Sequence, residues 1–335
     1  MFTFTARRLL FAVPTLLAIS FIIFAILDLS PGDPTGNLPL TIPPEVREQI
    51  RASLGLNQPF PIRYLLWCQQ FFINEPLNIV EQWTGWQFGD GERLRVISWS
   101  TRAPVVDLIV ERMPQTLWVV GMSQIIAIII AVPIGVISAY RQYSLFDQLG
   151  GVFSIIGFSV PTFFTGLLFI YVFSVWLGWL PSVYDTTLVV ESWASFWQQI
   201  KQMIMPTMVL ALATTASLSR FMRASMLDNL NQDYVRTARA KGLSRGQVLW
   251  RHALRNALIP VLTIIGLQFS FLLAGAIIIE NVFFLPGLGR LLFQGITQRD
   301  LIVVESTVML LVFAVVVVTF LVDLAYALVD PRLRR

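Results

Sequence analysis

Apolar residues in this chain come in long uncharged runs, without the short alternation of a soluble fold. The runs are Leu9–Leu27 and stretches within Met113–Tyr140, Gln148–Trp176, Met203–Ser219, Pro260–Ile279 and Val303–Ala327. Each is close to the ~20 residues that carry a helix across a bilayer. The pattern predicts an all-α polytopic membrane protein with about six transmembrane helices. Pro114 is expected to open the second span, Pro133 to interrupt it, and Pro161 with Gly166 to kink the third. The first run follows Arg7 and Arg8, as in a signal peptide. It is longer than a signal h-region, and no small-x-small site precedes Ser30, so it reads as a retained span.

The polar segments between the runs are unequal. A long one, residues 30–112, follows the first span, where Pro31, Gly32 and Pro34 stop the helix. Short helices are expected at Glu45–Leu54 and Tyr64–Phe72, then an irregular loop over Asn74–Thr101. Trp83, Trp86 and Trp99 in that loop fit interfacial anchoring, with ligand contact as the other reading. A polar turn lies at Arg141–Asp147, and the Trp-rich loop Leu177–Lys201 has room for a surface helix.

The most polar connection is Asp233–Pro260, DYVRTARAKGLSRGQVLWRHALRNALIP. It sets Arg236, Arg239, Lys241, Arg245, Arg251 and Arg255 against one acid, Asp233. Asp233 is the expected N-cap of a short helix that Gly242 ends in the left-handed conformation. Ser244 with Gln247 then forms a capping box opening a second helix to about Asn256. Such a helix–Gly–helix hook leaves the bilayer and returns without building a domain.

Composition narrows the chemistry. Of 335 residues, 56% are hydrophobic and only 13% charged, against about 25% charged in soluble proteins. One cysteine, Cys68, excludes an internal disulfide and a Cys-based zinc site. The single histidine, His252, has no carboxylate motif around it and reads as a helix-surface residue. No phosphate-binding GxxxxGK[ST] loop is present. Glu280, Glu305 and Asp323 fall at or near span ends, where local pairing serves, so no proton relay is read from them. The net charge of +4 implies no nucleic acid, because the basic residues sort by membrane side. Arg7, Arg8, Arg141, the eight cations from Arg220 to Arg255, and Arg332, Arg334 and Arg335 make fourteen of the 24. The shorter outer loops hold only Lys201, Arg290 and Arg299, so both termini and the hook are expected to be cytoplasmic.

The hook resembles the cytoplasmic loop of bacterial ABC-importer permeases, whose signature is Glu-Ala-Ala, three residues, then Gly. Here Arg236-Thr237-Ala238 and Gly242 take those places, with Arg for Glu as is usual in the dipeptide/oligopeptide/nickel branch. The Pro thirteen residues beyond the Gly in the general signature is Arg255 here, and the nearest is Pro260. "PGDP" with "LGLNQPFPIRYLLW" resembles the extracytoplasmic segment after the first span of these permeases. So does "IENVFFLPGLGRLL" (Ile279–Leu292), which resemblance places just outside the fifth span. The resemblance implies a binding-protein-dependent inner-membrane component with no catalysis of its own. It implies a second homologous permease, two cytoplasmic ATPase subunits or domains holding ATP and Mg, and an extracytoplasmic binding protein. It places the chain in a prokaryotic cytoplasmic membrane. By the same resemblance, Arg236, Thr237, Ala238, Lys241 and Gly242 couple to the ATPase.

The resulting division is 1–29, N-terminus and first helix; 30–112, extracytoplasmic; and 113–335, a five-helix core with coupling loop 220–259. In Ile279–Leu292, Pro286, Gly287 and Gly289 are expected to force a tight re-entry, with Phe283, Phe284 and Leu288 as apolar surface. With Glu280, these residues read either as a gate or pathway floor, or as a packed loop closing the bundle. Ser123, Gln124, Gln268 and Ser270 are polar positions within spans, open to either pathway contact or helix–helix hydrogen bonding. Other classes are a self-sufficient channel or carrier, which would not need the hook, and a membrane enzyme, which would need clustered His or acids. Dipeptides, oligopeptides, nickel chelates, glutathione and some sugars all remain open as substrate.

Overall fold

The computed structural model describes residues 2–29, 43, 45, 57–86 and 95–329. The PGDP run, most of the expected Glu45–Leu54 helix and the tail from Asp330 lie outside the described residues. Among the described residues the regular elements are helices, beside one isolated antiparallel bridge between Ile97 and Pro104. They are α1 (Phe2–Asp28), α2 (Phe60–Gln69), α3 (Glu75–Thr84), α4 (Val105–Tyr140), α5 (Leu145–Ser159), α6 (Thr162–Phe169), α7 (Trp193–Leu230), α8 (Asp233–Ala240), α9 (Arg245–Gln247), α10 (Leu254–Val282), α11 (Leu288–Thr297) and α12 (Leu301–Val329). Among the described residues, five helices are long and apolar enough to cross a membrane, and α5 with α6 is a bent pair that counts as a sixth when read as one broken span.

Several boundaries depart from the expectations. The second span starts at Val105, so Pro114 lies inside it, and Pro133 does not interrupt it. Pro206 and Pro260 are likewise inside continuous helices. Each proline removes one N–H and crowds one turn, but long apolar helices held by neighbours absorb this. At Pro161 the outcome is larger than a kink: α5 and α6 meet at 102°. The loop expected from Asn74 is helical to Thr84, because α2 continues through a π-helical turn, Gln70–Asn74, into α3. The surface helix expected in the Trp-rich loop is the start of the 38-residue α7, capped by Ser192.

The chain groups into two compact units. One comprises residues 11–112 and 291–313. Its α1–α2 seam is aromatic, with Phe21 edge-on to Phe60 and Tyr64, and Phe24 against Trp67. Arg63 pairs with Asp28 at 2.5 Å. Asp300, 1% exposed, accepts from the hydroxyls of Ser98 (2.6 Å) and Ser100 (3.0 Å). This fastens the turn carrying Trp99, while Trp86 is 70% exposed.

The other unit comprises residues 1–10, 113–290 and 314–335. Its axis is α10, 29 residues and about 43 Å long at 1.5 Å per residue. At the start of α10 lies the hook, and at its end lies the Ile279–Arg290 knot. The α5–α6 pair runs from one to the other. Asp147 in α5 binds Arg223 near the hook, and beyond α6 the Tyr184 N–H donates to the Phe283 carbonyl at 3.0 Å in the knot. Glycines permit the close crossings: a Cβ on Gly157 would lie 2.6 Å from that of Ala216, and one on Gly135 2.6 Å from that of Met222. In the first half of α10, Gly266 meets Val322 and Thr263 contacts Tyr326; Arg8 pairs with Asp323 at 3.1 Å.

Candidate functional site: the hook and the knot

In the hook, α8 is one short helix with two unlike faces. Val235 and Ala238 are buried, at 0% and 5% exposure, in a cluster with Val136, Leu218, Met222, Met226 and Ala253. Arg236, Thr237, Arg239, Lys241 and Gly242 are exposed. Of the five expected coupling residues, Ala238 is thus part of the seat, and the other four face outward. Gly242 has φ +78°, with nothing within 4 Å of a Cβ placed there. Its left-handed conformation ends α8, as the sequence indicates.

The cap of α8 differs from the expectation. Gln232 occupies the N-cap position, its side chain donating back to the Asp228 carbonyl without capping the helix, and Asp233 is the first helical residue. There its charge still faces the positive helix end, and it pairs with Arg236 at 3.5 Å. The Ser244–Gln247 capping box is present in both directions. The helix it opens is not a separate one: α9 passes through a π-helical stretch, Val248–Ala253, directly into α10. The hook is therefore one free helix and the protruding foot of the fifth span. Between them is a groove of about 450 Å³, walled by Leu230, Leu243, Val248 and Leu249, with Tyr140, Arg239 and Arg245 also lining it. Tyr234 donates to Asn229 at 2.7 Å, and Ser225 to the Ala257 carbonyl at 2.7 Å, holding the hook to α7 and α10.

The knot is built around a buried carboxyl. Glu280 has 0% exposure. It accepts the Thr116 hydroxyl at 2.5 Å and the Arg290 N–H at 2.9 Å, while the Thr116 oxygen accepts the Leu288 N–H at 2.7 Å. The turn's left-handed residue is Phe284, φ +56°, and neither Gly287 nor Gly289 has positive φ. Those glycines provide space instead. A Cβ on Gly287 would lie 2.3 Å from the Glu280 carboxyl, and one on Gly289 2.5 Å from the Ile277 Cα. Phe283 is buried, whereas Phe284 is 52% exposed with the Arg290 guanidinium 4.8 Å above its ring. Pro286 follows Leu285, whose N–H donates to the Glu280 carbonyl at 2.8 Å. Beside the knot, Thr187 donates to Asp185 from its hydroxyl and its N–H, which holds that carboxyl below its ordinary range.

The four polar span residues are not brought into one site. Ser123 is buried and donates to the Val120 carbonyl at 2.8 Å, within its own helix. Gln124 is 8% exposed, and neither side-chain polar atom has a partner among the described residues. Gln268 and Ser270 are half-buried on α10, and the Gln268 oxygen lacks a partner among the described residues. Sequence reasoning missed Thr116 and the Asp147–Arg223 pair, whose partners lie far apart along the chain.

Comparison with known proteins agrees with this architecture. Residues 131–335 match the family model "Binding-protein-dependent transport system inner membrane component", and residues 1–120 match its N-terminal companion. The oligopeptide transport system permease protein AppB of Bacillus subtilis is 39% identical over 337 residues, covering 99% of each chain. The glutathione transport system permease protein GsiC of Escherichia coli K12 is 38% identical over 338 residues, covering 100% of this chain and 99% of that one. The fold is shared with an inward-facing structure of the MetNI methionine ABC transporter (TM-score 0.53, 18% identity, 68% of this chain and 98% of that one). On these matches, the chain belongs to the family of inner-membrane components of binding-protein-dependent transport systems, the permease subunits of ABC importers.

Proposed function

We propose that this chain forms one half of the pathway of an ATP-driven importer for peptides or peptide-like solutes, and that its hook receives the drive. The observation that carries the reading is the two-faced α8: its small and apolar residues seat it on α4, α7 and α10, while Arg236, Thr237, Lys241 and Gly242 are left facing out. Cations held on a short, seated helix present a fixed pattern to a soluble partner. Two ATPase subunits or domains hold ATP and Mg and perform the hydrolysis, and a second homologous permease completes the pathway. An extracytoplasmic binding protein delivers the solute. Peptides are favoured because relatives at 38–39% identity are named for oligopeptide and glutathione transport. Both termini and the hook are cytoplasmic, a reading supported by the Arg8–Asp323 pair and the Tyr326–Thr263 contact on the hook's half of α10.

Two experiments test this. Mass spectrometry of what co-purifies with the tagged chain from its native host should recover a second permease, an ATPase and a binding protein. Recovery of the chain alone, in a state that transports after reconstitution, would sink the importer reading in favour of a self-sufficient carrier. Gly242→Trp should insert normally yet uncouple uptake from ATP hydrolysis, because a Cβ at φ +78° strains the corner that ends α8. Normal uptake by that variant would remove the hook from the mechanism.

A further inference from the structure

We infer that Asp147 and Arg223 are a positioning pair through which movement at the hook is passed to the third span and on to the knot. The inference rests on the importer reading above. Asp147 lies in the first turn of α5 with its side chain 6% exposed. It accepts Arg223 Nε at 2.6 Å and Nη2 at 2.7 Å, and also the Tyr143 N–H at 3.0 Å. Tyr143 has φ +63° in the four-residue turn between α4 and α5, so one carboxylate fixes that turn as well as the start of α5.

On the other side of the pair, Arg223 follows Met222, which belongs to the apolar seat of the hook. Gly135 of α4 crosses here so closely that an added Cβ would stand 2.9 Å from the Arg223 nitrogen. The backbone of α7 is thus pinned at the level where its guanidinium is held. A shift of the seat at this level carries the start of α5 with it. At the far end of the bent span, a Cβ on Gly166 of α6 would lie 3.4 Å from the side chains of Val282 and Phe283, next to Glu280. The third span therefore bears on the hook's support at one end and on the knot at the other. An apolar contact lets helices slide, whereas a two-point guanidinium–carboxylate fork is directional and fixes register. That is the property a transmitting joint needs.

The test uses the complete complex, with its partner permease and ATPases, in liposomes. Cys68→Ser removes this chain's one native thiol, and Val183→Cys places a probe beside Tyr184, whose N–H is bound to the Phe283 carbonyl, with labelling read on this chain alone. Labelling by a membrane-impermeant maleimide is measured with and without ATP and vanadate. The parent's labelling rate should change with nucleotide by about fivefold or more. Asp147→Asn should keep its ATP hydrolysis but lose most of that response, to below about twofold. Arg223→Lys, which keeps the charge and loses the fork, should fall between. Joining Asp147→Asn to Arg223→Gln should add no further loss, since both cut one joint.

A full nucleotide response in Asp147→Asn, or an additive loss in the double variant, would overturn the inference. If Asp147→Asn does not assemble, Arg223→Lys decides: a response equal to the parent's overturns it, and a reduced response with ATP hydrolysis intact upholds it. A parent complex whose labelling ignores nucleotide overturns the importer reading itself, and the joint with it.

Discussion

The hook and the knot lie at the two ends of α10 and treat charge in opposite ways. At the knot, the Glu280 carboxyl is wholly buried and enclosed by a hydroxyl, a backbone N–H and the space left by Gly287. At the hook, Arg236 and Lys241 stand in the open on a helix whose only buried residues are Val235 and Ala238. The knot's polar groups are satisfied within the chain and so serve the fold. The hook's cations stand outside its seat, which rests on small and apolar side chains together with the Tyr234 and Ser225 hydrogen bonds. Charge that the fold does not need is the better guide to where a partner binds.

The contrast can be broken at either end. The largest effect belongs to Glu280→Ala. It removes the acceptor for Thr116 and Arg290 and leaves two buried donors unsatisfied at about 1–3 kcal/mol each, so a loss of about 2–6 kcal/mol is expected. Thermal unfolding of the purified complex in detergent measures it, and an unchanged melting temperature would deny the knot its structural role. Next comes Ala238→Leu, which overfills the seat and should cost about 1–3 kcal/mol on the same measurement. A wild-type melting temperature would mean that α8 is not seated as described. Smallest in stability is Arg236→Gln, expected within about 0.5 kcal/mol, since the side chain is 74% exposed. That variant should nevertheless lower the ATPase activity stimulated by binding protein by about fivefold or more. Full stimulation would erase the functional half of the contrast.

What could be read from the sequence was local. The left-handed Gly242 and the Ser244–Gln247 box involve neighbours in the chain, and both are present. The spans were legible because lipid demands length and apolarity in one continuous run. What failed depended on distant partners. Gly287 and Gly289 read as turn residues, but their purpose is room for Glu280 and Ile277, while Phe284 takes the strained backbone. Proline was over-read at positions 114 and 133 and under-read at 161, because the residue alone does not say whether neighbouring helices hold the axis straight. Ala238 looked like part of an outward signature, yet its small size suits it to the seat. Thr116 carries no local signal at all, since its partner Glu280 lies 164 residues away.

The 102° bend of the third span also bears on how this chain meets lipid. The 15 residues of α5 rise only about 22 Å, well short of a hydrocarbon core of about 30 Å. Read as one broken span, the pair places its bend within the thickness of the bilayer. Val160 still donates to the Ile156 carbonyl at 3.0 Å, and Pro161, the N-cap of α6, has no N–H to leave unpaired. The first N–H groups of α6 have no acceptor in their own helix, and hydrocarbon offers them none. The start of α6 is consequently a point where this span has to be wetted, or covered by protein, in place of acyl chains.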